Sequence, residues 1–189
     1  MDEGKPLSQD ERESTLKAIS GDDPDAMIKA ARLLAYEEST TPQLLELLKH
    51  ERRAETRQAI LYALAWHTNQ SLCELMAGIL SDPREAPSVR GQAAEGIAYM
   101  IREIPTDSEK FKIAVGALVA ALKDPSPEVR YCSIFALGST RHQPLIPVLE
   151  GLLGDHTEVP GWVGTIGSEA ANAIERISPD YMKQKKDSP

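Results

Sequence analysis

One phrase recurs along this 189-residue chain: Asp-Pro, a short gap, an aliphatic–basic pair, then an Ala/Leu-rich segment. The fullest copy runs Asp124-Pro-Ser-Pro-Glu-Val-Arg-Tyr-Cys-Ser-Ile-Phe-Ala-Leu137. The stretch from Asp23 to Tyr36 lines up with it without a gap. Asp82-Pro83 followed by Val89-Arg90 and Ala93-Ala94 is a third copy. Thr56-Arg57 with Ile60-Leu61 and Ala63-Leu64 is a fourth, with Glu51 in place of the Asp. Ile166-Gly167 with Ala170-Ala171 and Ala173-Ile174 is a worn fifth. Self-similarity at roughly 30 to 40 residues predicts stacked helical hairpins sharing one core along the whole chain.

Local signals place the helices. Ser8 with Glu11 reads as a capping box opening a helix to Ser20, which Gly21 stops. Asp23 and Asp124, each followed by Pro, suit helix N-caps with proline at the first turn, where its missing donor costs nothing. Second helices of the hairpins are predicted over 41–49, 71–80, 107–122 and 144–153, with capping boxes at Ser71/Glu74 and Thr106/Glu109. The fifth copy is expected to supply only its first helix. Residues 1–7 read as disordered, 8–177 as one solenoid domain and 178–189 as a flexible tail. Two insertions, Ile104–Glu109 and Asp155–Thr165, lengthen loops, and insertions in such arrays often lie on the binding face.

The formal net charge is −8, with eight acids in the first 25 residues. An acidic surface repels phosphate backbones, so nucleic acid is not an expected partner. Cys73 and Cys132 lie far apart and outside any Cys-x-x-Cys pair, which predicts reduced, buried thiols. No apolar run is long enough to span a bilayer, so no membrane association is expected, and a cytoplasmic location is the expectation. The four histidines share no metal-ligand spacing, and no nucleophile-elbow or phosphate-loop motif occurs. No metal, cofactor or catalytic residue is expected.

The run Asp124-Pro-x-Pro-Glu-Val-Arg, then Ala136-Leu137-Gly138, then Leu145-Ile146-Pro147-Val148-Leu149, resembles the HEAT repeat, in its short bacterial phycobilin-lyase-like form. The resemblance covers about residues 22 to 177. It implies an all-α fold, a right-handed α-solenoid of about five HEAT-like helical hairpins. It also implies an ion-pair ladder of Lys29, Arg57, Arg90 and Arg130 with Asp23, Glu51, Asp82 and Asp124, broken by Gly167. Each base follows an acid of its own repeat, which favours structural pairing over a phosphate track.

Aromatics supply the candidate contact residues. Trp66 and Tyr99 each stand nine residues past the Arg of their repeat, so stacking should bring them onto one strip, with Glu38 and Ser139 at the same position elsewhere. His67 flanks that strip, and Trp162 sits in the inserted loop. Trp66, His67, Tyr99 and Trp162 are therefore the expected partner-binding residues, since large rings anchor interfaces. HEAT proteins typically bind other proteins, and the expected function is a non-enzymatic interaction scaffold using its second-helix surface. An acidic inhibitor or immunity-type partner of a basic enzyme or toxin is the alternative, by charge complementarity. A bilin lyase-like factor is more remote: it needs a tetrapyrrole-sized cavity with aromatic and basic lining, and 5% aromatic residues argues against one. A DNA-repair glycosylase would need a basic concave face, which the acidic balance disfavours.

Overall fold

A computed structural model describes residues 6–67 and 69–181, and all of its regular structure is helical apart from one antiparallel bridge between Glu158 and Thr165. The α-helices are α1 (Gln9–Ile19), α2 (Pro24–Leu34), α3 (Thr41–His50), α4 (Ala54–Ala65) and α5 (Leu72–Leu80). They continue as α6 (Pro87–Met100), α7 (Glu109–Ala121), α8 (Pro127–Ser139), α9 (Ile146–Glu150) and α10 (Ile166–Ile177). α2, α4, α6, α8 and α10 pack successively side by side as one layer, and α5 and α7 pack together in the other. The result is an α-solenoid of four hairpins, with α1 against α2 at one end and the single helix α10 at the other. No helix among the described residues is long and apolar enough to cross a membrane.

The core is continuous from Ile19 to Ile177, and its centre is Leu34, Leu61, Leu64, Ile97, Ile134 and Leu137, all fully buried. Small residues let neighbouring helices approach. A side chain at Gly138 on α8 would stand 2.8 Å from the Cα of Ala173 on α10. Gly167 brings α10 against the preceding loop, its N–H donating to the Asp155 carbonyl at 2.8 Å. Its absent side chain would lie 2.6 Å from the Leu153 carbonyl oxygen.

The capping expectations divide. Ser8 and Glu11 form the complete capping box, and the Asp23 carboxylate accepts the N–H groups of Asp25 and Ala26. Asp124, however, is not a cap: α8 starts two residues later, at Pro127, with Ser126 in the N-cap position. Ser71 makes no side-chain cap, and Ser108 rather than Thr106 caps α7. The last hairpin's second helix is only Ile146–Glu150 after a short 3-10 turn, with Gly151 at its C-cap. Of the expected disordered segment 1–7 and flexible tail 178–189, residues 1–5 and 182–189 lie outside the described residues. Within reach of them, Leu7 N–H is tied to the Glu37 carboxylate at 2.7 Å, and Tyr181 packs against the core.

The late start of α8 resets the alignment of the repeats. Proline holds the first helical position in α2, α6 and α8. Matching Pro24 to Pro127 therefore shifts the first copy by two residues from the gap-free alignment. Burial agrees with the shift. Leu34 then matches Leu64, Ile97 and Leu137, all at 0% exposure, whereas the gap-free alignment would match Leu137 to the exposed Tyr36. Tyr36, not Glu38, thus corresponds to Trp66 and Tyr99.

Lys29 loses its place in the ladder for the same reason, and it is exposed on α2. The observed rungs also run between repeats rather than within them. Arg90 makes a two-pronged pair with Asp124 of the next repeat, at 3.0 and 2.9 Å, and its remaining prong takes the Glu85 carbonyl. Arg57 pairs in the same way with Glu85, not Asp82, and donates to the carbonyls of Leu48 and Glu51. Five donors in a rigid fork allow this division between two repeats. Arg130 reaches only backbone carbonyls, that of Asp124 at 3.0 Å and that of Pro125 at 3.5 Å. Asp82 is satisfied by Arg84, and Glu51 by Arg53.

The Glu51–Arg53 contact has a pH signature. The hydrogen bond from Arg53 holds the Glu51 carboxyl at about 2, against an ordinary 4.5. A depressed carboxyl stabilises the fold above its unfolded value and loses that contribution as pH falls from about 4.5 towards 2. Thermal melts of the native chain and Glu51→Gln should therefore differ at neutral pH and converge on acidification. A gap that stays constant down to about pH 2 would rule the pairing out as its cause.

Candidate functional site: an aromatic groove on the first-helix layer

On the outward side of α2, α4 and α6, helical spacing places residues four apart in columns. One column runs Arg32, Tyr62, Glu95; the next runs Tyr36, Trp66, Tyr99. Trp66 and Tyr99 stack with ring centroids 5.0 Å apart, and they are 45% and 42% exposed. Tyr62 meets Trp66 at 6.4 Å, continuing the strip onto α4. The Tyr99 hydroxyl donates to Glu95 at 3.2 Å, and burial, reinforced by the Glu95 charge, pushes its pKa up to about 12. The ring therefore stays a neutral donor at physiological pH.

Beside this strip a groove of about 650 Å³ opens between α2 and α4 and reaches Gln92 of α6. Its walls are apolar: Met27, Ile28 and Ala31 face Ala59 and Tyr62. The two alanines keep the helix contact thin, and Ile28, half exposed, extends the wall outwards. Arg32 and Arg53 line it as well, with Asp22 and Glu55 at the rim. Arg53 is saturated, its five donors going to Glu51, Asp22, and the carbonyls of Ser20 and Gly21.

The other expected contact residues separate. His67 is 1% exposed and does not flank the strip. Its Nε2–H donates to the Leu34 carbonyl at 2.9 Å, while Nδ1 lies 2.8 Å from the Thr41 hydroxyl. It is a tie between the first hairpin and the end of α4, since the chain turns inward straight after Trp66. Trp162 leans on Tyr131 of α8 at 4.8 Å, with no contact to the Trp66–Tyr99 pair. Its loop is folded back by the Glu158–Thr165 bridge and turns at Gly161 and Gly164, whose φ values of 83° and 104° favour glycine. Both cysteines are buried and free; burial pushes Cys73 up to about 11 and Cys132 higher still. Among the described residues no cluster of side chains could hold a metal ion.

Residues 84–163, the span from before α6 to the Trp162 loop, match the family model described as HEAT repeats. That stretch of the solenoid is similar to HEAT repeats. Among curated proteins this chain is similar to the bilin biosynthesis protein RpcF of Synechococcus sp. (strain WH8020), at 32% identity over 112 residues. The match covers 59% of this chain and 53% of the relative, so the chain spans about half the length of the curated relative it matches. Among solved structures it resembles a chain in the complex of CpcE and CpcF of phycocyanin lyase from Nostoc sp. PCC7120. The TM-score is 0.70 at 20% identity, covering 86% of this chain and 96% of the other, a likeness of fold.

These relatives overturn the expectation of a non-enzymatic scaffold, and the inhibitor-type alternative with it. The assignment as no enzyme falls on the same finding. It rested on the absence of catalytic motifs, which does not exclude catalysis. Sequence reasoning missed the groove residues Ile28, Arg32 and Tyr62. The signal was present as Ile28, Arg32 and Tyr36 at four-residue spacing, but the gap-free alignment sets them against Val129, Ser133 and Leu137, which are buried.

Proposed function

We propose that this HEAT-repeat chain is a bilin lyase-type subunit, which holds a bilin in the α2–α4 groove for attachment to an acceptor protein. The groove is the observation that carries the reading. A linear tetrapyrrole is a long, flat, conjugated ligand with polar edges. It calls for an elongated apolar slot with rings on which to lie and cations at the margin. The groove's volume lies in the ordinary range for small-molecule sites, roughly 300–1,000 Å³. Tyr62, Trp66 and Tyr99 provide the ring surface, and Arg32 stands at the margin. The relatives named above supply the chemical class.

Where a bilin is joined to a protein thiol, the attacking group is a thiolate. Cys73 and Cys132 are buried and keep their protons at neutral pH, so the acceptor thiol belongs to another protein. The role of this chain is to bind, orient and shield the tetrapyrrole, working with a second lyase subunit. Co-expression with a bilin-producing pathway tests this: the purified chain should carry visible absorbance, with a spectrum altered from that of free bilin. Tyr62→Ala should remove most of that colour without loss of helical content. A colourless native chain, alone and with a lyase partner, would sink the reading.

A further inference from the structure

Once the repeats are aligned on their helix starts, one position stands apart. Val89 on α6 and Val129 on α8 are fully buried apolar residues at the third helical position. The same position on α4 is Thr56, also 0% exposed, and its hydroxyl oxygen has no hydrogen-bond partner among the described residues. A buried hydroxyl left unpaired is a cost that valine, used in the neighbouring repeats, avoids. Thr56 also lines the α2–α4 groove, which the Val positions do not.

A second asymmetry lies on the opposite wall. Arg32 occupies the position held by Tyr62 on α4, Glu95 on α6 and Phe135 on α8. Unlike Arg53, it makes no hydrogen bond or ion pair with any described residue. The groove's lining thus includes one guanidinium and one hydroxyl that pair with no described residue. A bilin has matching edges: propionate carboxylates on one, and ring N–H and lactam groups on the other.

We infer that Arg32 holds a propionate of the bilin and that Thr56 hydrogen-bonds its ring system, so that together they fix which edge of the tetrapyrrole faces out. This assignment rests on the bilin reading of the groove. A guanidinium pairs with a carboxylate through two parallel bonds, which an esterified propionate cannot accept as an ion.

Absorbance titrations of the purified full chain with biliverdin and with biliverdin dimethyl ester test it. The native chain should bind the free acid about tenfold more tightly than the ester. Arg32→Gln should lower affinity for the acid to that for the ester, leaving the ester unaffected. Thr56→Val, which copies the neighbouring repeats and should fold at least as stably, should weaken both ligands several-fold. Equal binding of acid and ester by the native chain overturns the Arg32 assignment, as does a preference that survives Arg32→Gln. Unchanged affinity in Thr56→Val overturns the Thr56 assignment. In those cases bilin binding itself stands, whereas a native chain that binds neither ligand, alone and with a lyase partner, defeats the groove reading and this inference together.

Discussion

Replacing Arg90 by Ala should lower the melting temperature by about 10 °C, the largest effect expected from any single polar side chain here. Arg90 and Asp124 are both largely buried, at 8% and 12% side-chain exposure, and their two-pronged pair joins α6 to the turn that opens α8. Removing the guanidinium leaves the Asp124 carboxylate without its partner and frees the Glu85 carbonyl as well. A buried charge so orphaned costs about 3–5 kcal/mol. Two further variants separate this cause from lost packing. Arg90→Ala with Asp124→Ala should recover part of the loss, because neither charge is then left alone. Arg90→Lys should remain clearly destabilised, since an ammonium cannot span both carboxylate oxygens and the carbonyl. A double variant no more stable than Arg90→Ala would show that the pair is not what joins these repeats. Arg130, which reaches only carbonyl oxygens, should be far less sensitive.

Gly138→Ala is expected to destabilise by about 2–3 kcal/mol, at the upper end for one added methyl. The new Cβ would meet the Cα and Cβ of Ala173 at 2.8 and 2.9 Å and the Arg176 side chain at 2.9 Å. Two of those atoms belong to the body of α10, so relief requires moving a helix rather than a flexible tip. Movement would also disturb Arg176, whose guanidinium lies 4.9 Å from the Phe135 ring centre and pairs with the buried Glu169. Chemical denaturation should show a lower midpoint, with proteolysis beginning near α10. Gly96→Ala offers the contrast. Its Cβ would meet mainly the Met76 thioether, the far end of a flexible side chain, so the expected loss is smaller. Equal effects at the two glycines would refute the close α8–α10 approach.

The architecture was legible in the sequence because a repeat states its own packing rule several times. A hairpin with an apolar stripe on each side must be flanked by others like it, and the Ala/Leu segments said so five times over. Caps were legible where a local hydrogen bond decides them, as at Ser8 and Asp23. They were misread where two starts competed, as in Asp124-Pro125-Ser126-Pro127. There Asp124 is drawn away by Arg90 on the previous repeat, and the helix begins at the second Pro. That long-range pair lies outside any local window, and missing it shifted a whole repeat by two residues. The ladder suffered likewise: its cations were identified at Arg57 and Arg90, while their true partners come from the following repeat.

Composition misled most about the site. Five percent aromatic residues is an average over the chain and says nothing of where the rings gather. Stacking places Tyr62, Trp66 and Tyr99 on one side of two successive helices, so the local ring density is high although the mean is low. The sequence alone determined that this chain is a stack of helical hairpins, because helix period and repeat length are local, one-dimensional properties. Only the tertiary structure decided where its groove lies, which arginine is spent and which hydroxyl is left unpaired. Those depend on which side chains meet across helices some thirty residues apart, and no spacing along the chain encodes that.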